Sequence, residues 1–67
     1  MIKVNLLEAR MKEQNVWYPE LCEALNLKMQ PLKRRFKGKV PITLTEVNKI
    51  RKFLNLTFEQ ANEIFYY

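Results

Sequence analysis

The side chains best suited to chemistry in this chain are bases, and they are crowded together. Lys28, Lys33, Arg34, Arg35, Lys37 and Lys39 lie in one short span, and no carboxylate occurs between Glu23 and Glu46. These six are half of the twelve Lys and Arg residues, and the other six are nearly balanced by the seven glutamates, giving a net charge of +5. A concentrated basic stretch on a near-neutral body suits a polyanion, because each base that meets a phosphate releases condensed counterions. It also suits a solvated basic helix face, and charge alone does not choose between the two.

Reactive chemistry has few candidates. The chain contains no His, no Asp and no Ser, and a single cysteine, Cys22. Ser-His-Asp triads, Cys-His pairs, histidine or multi-cysteine metal sites and Asp-led calcium loops all fall away together. One glycine, Gly38, leaves no Gly-rich phosphate cradle. Acid–base work would have to use Glu8, Glu13, Glu20, Glu23, Glu46, Glu59 and Glu63, each expected on a solvated helix face without an apolar pocket to raise its pKa. The expectation is a protein that is not an enzyme and uses no cofactor, metal or small molecule. Cys22 reads as a small residue buried at a helix–helix contact, in preference to a redox switch.

The positioning elements follow from spacing and punctuation. The 67 residues, 48% of them hydrophobic, leave room for one domain, 1–67. No apolar run approaches the ~18 residues of a membrane span, and Met1-Ile2-Lys3-Val4 has no secretory character, so a cytoplasmic protein is expected. Asn5 and Glu8 suggest a capping box opening a first helix, with Leu7 and Met11 on one face and Asn15 as a left-handed exit. Pro19 fits the first turn of a second helix carrying the stripe Leu21, Cys22 and Leu25, and Asn26 ends it. Pro31 marks a third helix from about Met29 to Lys37, stopped by Gly38, with Leu32 and Phe36 as its apolar positions. Thr43 with Glu46 and Thr57 with Gln60 make two further capping boxes. They open a fourth helix burying Val47, Ile50 and Leu54, ended by Asn55, and a short fifth with Ala61, Ile64 and Phe65 on one face. No strand pattern appears. The fold class is all-α: a compact bundle of about five short helices.

Two short helices joined by a tight turn, the second amphipathic and basic, describe a helix-turn-helix unit. The segment from Tyr18 to Gly38 resembles the Cro/C1-type (XRE) phage-repressor family, which has a lambda-repressor-like fold. Cys22 stands at that family's small position in the second helix, and Asn26 at its turn glycine. Leu21, Leu25, Leu27 and Leu32 stand at its apolar positions, and Gly38 closes the third helix. Val47, Ile50 and Leu54 match its fourth-helix core. The ending from Leu54 to Phe65 is similar to short versions from phages of Gram-positive bacteria. The chain departs from the pattern at Trp17, where an N-capping Ser, Thr or Asn is usual, and at Tyr18, which replaces a frequent phosphate-binding Gln. Lys28 replaces a Ser or Thr, Met11 takes the place of an Arg, and Arg35 stands where many relatives are apolar.

The resemblance implies a sequence-specific binder of double-stranded DNA, acting as a small repressor or regulator in a bacterial host cell. The N-terminal part of the third helix would enter the major groove. Met29, Gln30, Lys33 and Arg34 would then face base edges: Gln suits adenine N6 and N7, Arg suits guanine O6 and N7, and Met suits a thymine methyl. Tyr18, Lys28, Arg35, Lys37 and Lys39 would hold phosphates. Trp17 is expected to cover the edge of the core, with base stacking as the alternative. Phe65, Tyr66 and Tyr67 form an apolar cluster with two readings, core closure or a homodimer surface. Two rival functions stand beside DNA reading: an antirepressor-like protein-interaction module, and an RNA or single-strand binder.

Overall fold

The computed structural model describes residues 2–66 as five α-helices. They are α1 Val4–Glu13, α2 Tyr18–Leu25, α3 Met29–Phe36, α4 Leu44–Phe53 and α5 Phe58–Phe65. There is no strand among the described residues. The anticipated all-α architecture is therefore the observed one, with helix ends shifted by a residue or so; α3 stops at Phe36 rather than Lys37.

One chemical device ends four of the helices. Asn15, Asn26, Asn55 and Gly38 have φ of 61, 56, 56 and 80°, the left-handed conformation that Asn and Gly tolerate best. In each case the next amide reaches back five residues. Val16 N donates to Met11 O at 2.9 Å, Leu27 N to Cys22 O at 3.0 Å, Leu56 N to Arg51 O at 2.9 Å, and Lys39 N to Arg34 O at 3.0 Å. These are Schellman closures, which satisfy carbonyls a helix end would otherwise leave unpaired. After α1, α2 and α4 the residue following the left-handed position is apolar and turned to the core: Val16 and Leu27 pack against it and Leu56 is buried. After α3 that residue is Lys39, which is exposed. A Cβ on Gly38 would meet nothing within 4 Å, so backbone conformation, not space, asks for glycine there.

Helix starts differ more than helix ends. Thr43 and Thr57 accept from Glu46 N and Gln60 N at 3.1 Å, while Glu46 and Gln60 accept from the Thr amides at 3.0 Å, completing both anticipated capping boxes. At α2, Glu20 accepts from Trp17 N at 2.7 Å, but an indole offers no acceptor, so only half of a box forms. The box expected at Asn5 and Glu8 is not made. α1 begins two residues earlier, at Val4, with Lys3 as its N-cap in place of Asn5 and no side-chain cap. Lys3 N donates instead to Ile64 O at 2.8 Å, joining the start of α1 to α5.

All five helices contribute to one core: Leu7 and Met11, Leu21 and Leu25, Leu32 and Phe36, Val47, Ile50 and Leu54, then Leu56, Ala61, Ile64 and Phe65. Burying each large side chain stabilises the fold by roughly 1.5–3 kcal/mol. α2 packs against α4 and α3, α4 also against α5, and α5 against α1. The Gln14 amide donates to the Leu54 carbonyl, tying the first turn to the end of α4. A radius of gyration of 10.6 Å is close to the ~11 Å expected of a compact chain of this length. No described helix is long and apolar enough to cross a membrane.

Three expectations about single residues change. Trp17 is exposed rather than laid over the core edge, and meets Tyr18 edge-on at 4.9 Å between ring centroids. Cys22 is half-buried against the core, a free thiol. Two of the glutamates expected to be solvated, Glu8 and Glu46, are half-buried and hydrogen-bonded to side chains from other helices.

Candidate nucleic-acid interface

α2 and α3 are eight-residue helices joined by Asn26, Leu27 and Lys28. The Schellman closure at Asn26 turns the chain sharply, and Leu27 anchors the turn on the core. Leu32 and Phe36, four apart, fasten one face of α3 to the core against α2, which leaves the opposite face in solvent. Gln30, Lys33, Arg34, Lys37 and Lys39 are exposed and Met29 is half-buried. Together these six side chains line a single open groove of about 350 Å³. All four residues expected to read bases are thus side by side, with two of those expected to hold phosphate at the C-terminal end. α3 is ~12 Å long, the length of three to four base-pair steps.

The electrostatics of this face are one-sided. α3 has no acidic residue in its first turn and three bases in its last, where the helix dipole favours cations. No carboxylate lines the groove. Nor is any group of three His, Cys, Asp or Glu among the described residues placed to hold a metal ion.

The other expected phosphate ligands are placed differently. Tyr18 does not offer its hydroxyl outward; the hydroxyl donates to the Glu8 carboxylate on α1. Burial raises its pKa, and the Glu8 hydrogen bond and charge raise it further, so it stays protonated with its one donor engaged. Its ring lies 5.9 Å from that of Phe36, and it lines a neighbouring cleft with Val4, Glu8, Lys33, Phe36 and Lys37. Arg35 is likewise removed from the phosphate set. Its Nε donates to both Glu46 oxygens at 3.0 Å, and its Nη1 donates to Pro31 O at 3.0 Å. The two side chains are 17% and 15% exposed, in contrast with the open face beside them. Burial would raise the Glu46 pKa, but the Thr43 amide, the Arg35 guanidinium and the Thr43 hydroxyl together lower it below 4.5. Lys28 is exposed at the α3 N-cap and caps nothing with its side chain.

Neither of these cross-helix bonds is anticipated from the sequence. Arg35 borders the Leu32–Phe36 stripe, which places it on the flank of the buried face. Its partner is eleven residues away on another helix, where no local spacing rule reaches. Of the terminal aromatic cluster, Phe65 is buried in the core and so drops out of any dimer surface, Tyr66 is 56% exposed, and Tyr67 lies outside the described residues. Comparison with family models, with curated proteins and with solved structures finds no match to this chain.

Proposed function

We propose that this chain binds double-stranded DNA sequence-specifically through α3, as a small transcriptional regulator of the kind its resemblance to the Cro/C1-type phage repressors implies. The observation that carries the reading is the single groove on α3. It sets an amide (Gln30), a guanidinium (Arg34) and a thioether (Met29) beside Lys33, Lys37 and Lys39, with no carboxylate among its lining residues. Amide and guanidinium groups are the side chains that discriminate adenine and guanine in the major groove, each by ~1–3 kcal/mol. The flanking lysines supply sequence-independent attraction to phosphate. Arg35 and Tyr18 belong to the scaffold behind this face.

The test is selection of duplexes from a random pool, followed by fluorescence-anisotropy titration of the selected duplex, a scrambled duplex and a single strand at several salt concentrations. A preference of at least ~10³ for the selected duplex is expected. Gln30→Ala and Arg34→Ala should relax sequence preference at one position each, whereas Lys37→Ala should weaken all duplexes alike and reduce the salt slope by about one. A steep salt slope with no preference would reduce the site to a basic surface. Single-strand preference would favour the RNA or single-strand reading, and no binding at low salt would favour a protein-interaction module.

A further inference from the structure

The Arg35–Glu46 pair joins α3 to α4 by charge at 3.0 Å, and its two side chains are largely buried beside the exposed bases of α3. We infer that Arg35 and Glu46 are positioning residues: they clamp α3 to the start of α4 and thereby hold the Gln30–Arg34 face at the angle that sequence discrimination requires. The inference rests on the reading of α3 as a duplex-reading helix, and it concerns how that helix is held, not whether it meets DNA.

Three observations lead to it. First, α3 is anchored apolarly by only Leu32 and Phe36, in one line along its axis. Two anchors in a line leave rotation about that line weakly opposed, and a lateral contact supplies what is missing. Second, the contact has the geometry of a clamp. Arg35 is pinned along its own helix by the Nη1 bond to Pro31 O and across to α4 by the Nε bond shared between both Glu46 oxygens. Third, Glu46 is itself fixed, because the same carboxylate accepts from Thr43 N at 3.0 Å. A guanidinium bonded in this way stands in register with a rigid helix start rather than with a mobile surface side chain.

The position of Glu46 makes the inference testable by sign. A carboxylate close to a phosphate-binding face repels DNA, so on charge alone Glu46→Gln should tighten binding to every duplex. If Glu46 positions α3, the same substitution should weaken binding to the preferred duplex, because the Arg35 link is lost. Gln60 occupies the equivalent place in the α5 capping box and accepts from Thr57 N at 3.0 Å, so a glutamine at 46 can keep the α4 cap while giving up the ion pair. Arg35→Met removes the same link from the other side. A phosphate ligand lost at this position would lower the salt slope by about one and weaken all duplexes equally; a positioning residue should leave the slope unchanged.

The experiment compares wild type, Glu46→Gln, Arg35→Met and the Arg35→Met/Glu46→Gln double variant on the selected and scrambled duplexes across a salt series. Amide hydrogen exchange of the DNA-free proteins is measured alongside. The expected result is about a tenfold fall in the selected-to-scrambled ratio for either single variant, with no additive loss in the double, as for two residues of one contact. The salt slope should stay that of wild type, and exchange in α3 should speed up about tenfold relative to α5. Tighter or unchanged binding of Glu46→Gln with an unchanged ratio would overturn the clamp while leaving DNA reading intact. A slope reduced by one in Arg35→Met would return Arg35 to the phosphate ligands. Unaltered α3 exchange would overturn the clamp without reference to DNA. A wild-type chain with no duplex preference would instead overturn the proposed function, and the clamp with it.

Discussion

α3 and α5 are built on the same backbone plan and put to opposite uses. Each has eight residues, each follows a left-handed Asn and a core-anchored Leu, and each begins from an N-cap residue with nearly the same dihedrals: φ −83° and ψ 167° at Lys28, φ −72° and ψ 163° at Thr57. From there they diverge. α5 receives a full capping box, an acid in its first turn and three buried side chains. α3 receives a lysine at the N-cap, bases in its last turn and two buried side chains. The turn chemistry makes a helix–turn–helix shape at both places, so the shape by itself assigns no function. What sets α3 apart is that its sequence gives up local stability, in capping and in apolar anchoring, and gains an open basic face. A helix of that kind relies on its tertiary contacts more heavily than α5 does.

Substitutions probe this contrast between the two helices. Leu32→Ala should have the largest effect. It removes one of only two apolar anchors of α3 and should cost ~2–5 kcal/mol, a large share of the roughly 3–10 kcal/mol available to a domain of this size. Urea denaturation measures the total, and hydrogen exchange should show α3 loosened more than α5; equal loosening of both helices would remove the contrast. Glu46→Gln should follow, at about 1.5–3 kcal/mol near neutral pH, the range for a hydrogen bond to a charged group. The folded-state pKa of Glu46 lies below its ordinary value of 4.5, so its stabilising effect is present above that value and is lost as pH falls through the lowered one. The stability gap between wild type and Glu46→Gln should therefore close as the medium is taken below pH 4.5, and a gap that stayed constant in acid would show that the charge of Glu46 is not what stabilises α3. The smallest effects belong to the caps. Thr57→Ala should destabilise by about 1 kcal/mol, and Lys28→Ser should stabilise by a similar or smaller amount, since it gives α3 the cap that α5 already has. Thermal unfolding of the two variants checks whether the signs are opposite.

Most of the fold was legible in the sequence because its determinants are local. A Thr three residues before a Glu or Gln satisfies helix amides within its own turn, and an Asn or Gly tolerates the left-handed exit through its own dihedrals. The Leu32–Phe36 spacing sets a buried face without reference to any other segment. The exception among the helix starts is instructive. Asn5 and Glu8 have the right spacing for a capping box, yet Glu8 accepts from Tyr18 on α2 and the chain start is held by the Ile64 carbonyl. There a tertiary partner outcompeted the local one. Arg51 shows the same thing in a milder form: its buried Nε has no hydrogen-bond partner, and its guanidinium instead lies 4.4 Å from the centre of the Phe58 ring, which attracts the cation through its π face.

The candidate interface divides along the same line. Helical periodicity fixes which residues are neighbours within a turn or two, so the chain alone places the bases of residues 28–39 on or beside one short amphipathic helix, with Met29, Gln30, Lys33 and Arg34 on its outer face. Packing between helices settles which of the neighbouring polar groups stay exposed and which are bonded inside the fold. Tyr18 and Arg35 have the chemistry of phosphate ligands, but packing brings Glu8 and Glu46 against them from other helices, and a half-buried donor beside a carboxylate bonds to it. Periodicity is a property of one segment and can be read along the chain; the identity of a partner ten or eleven residues away depends on how separate segments dock, which no local pattern records.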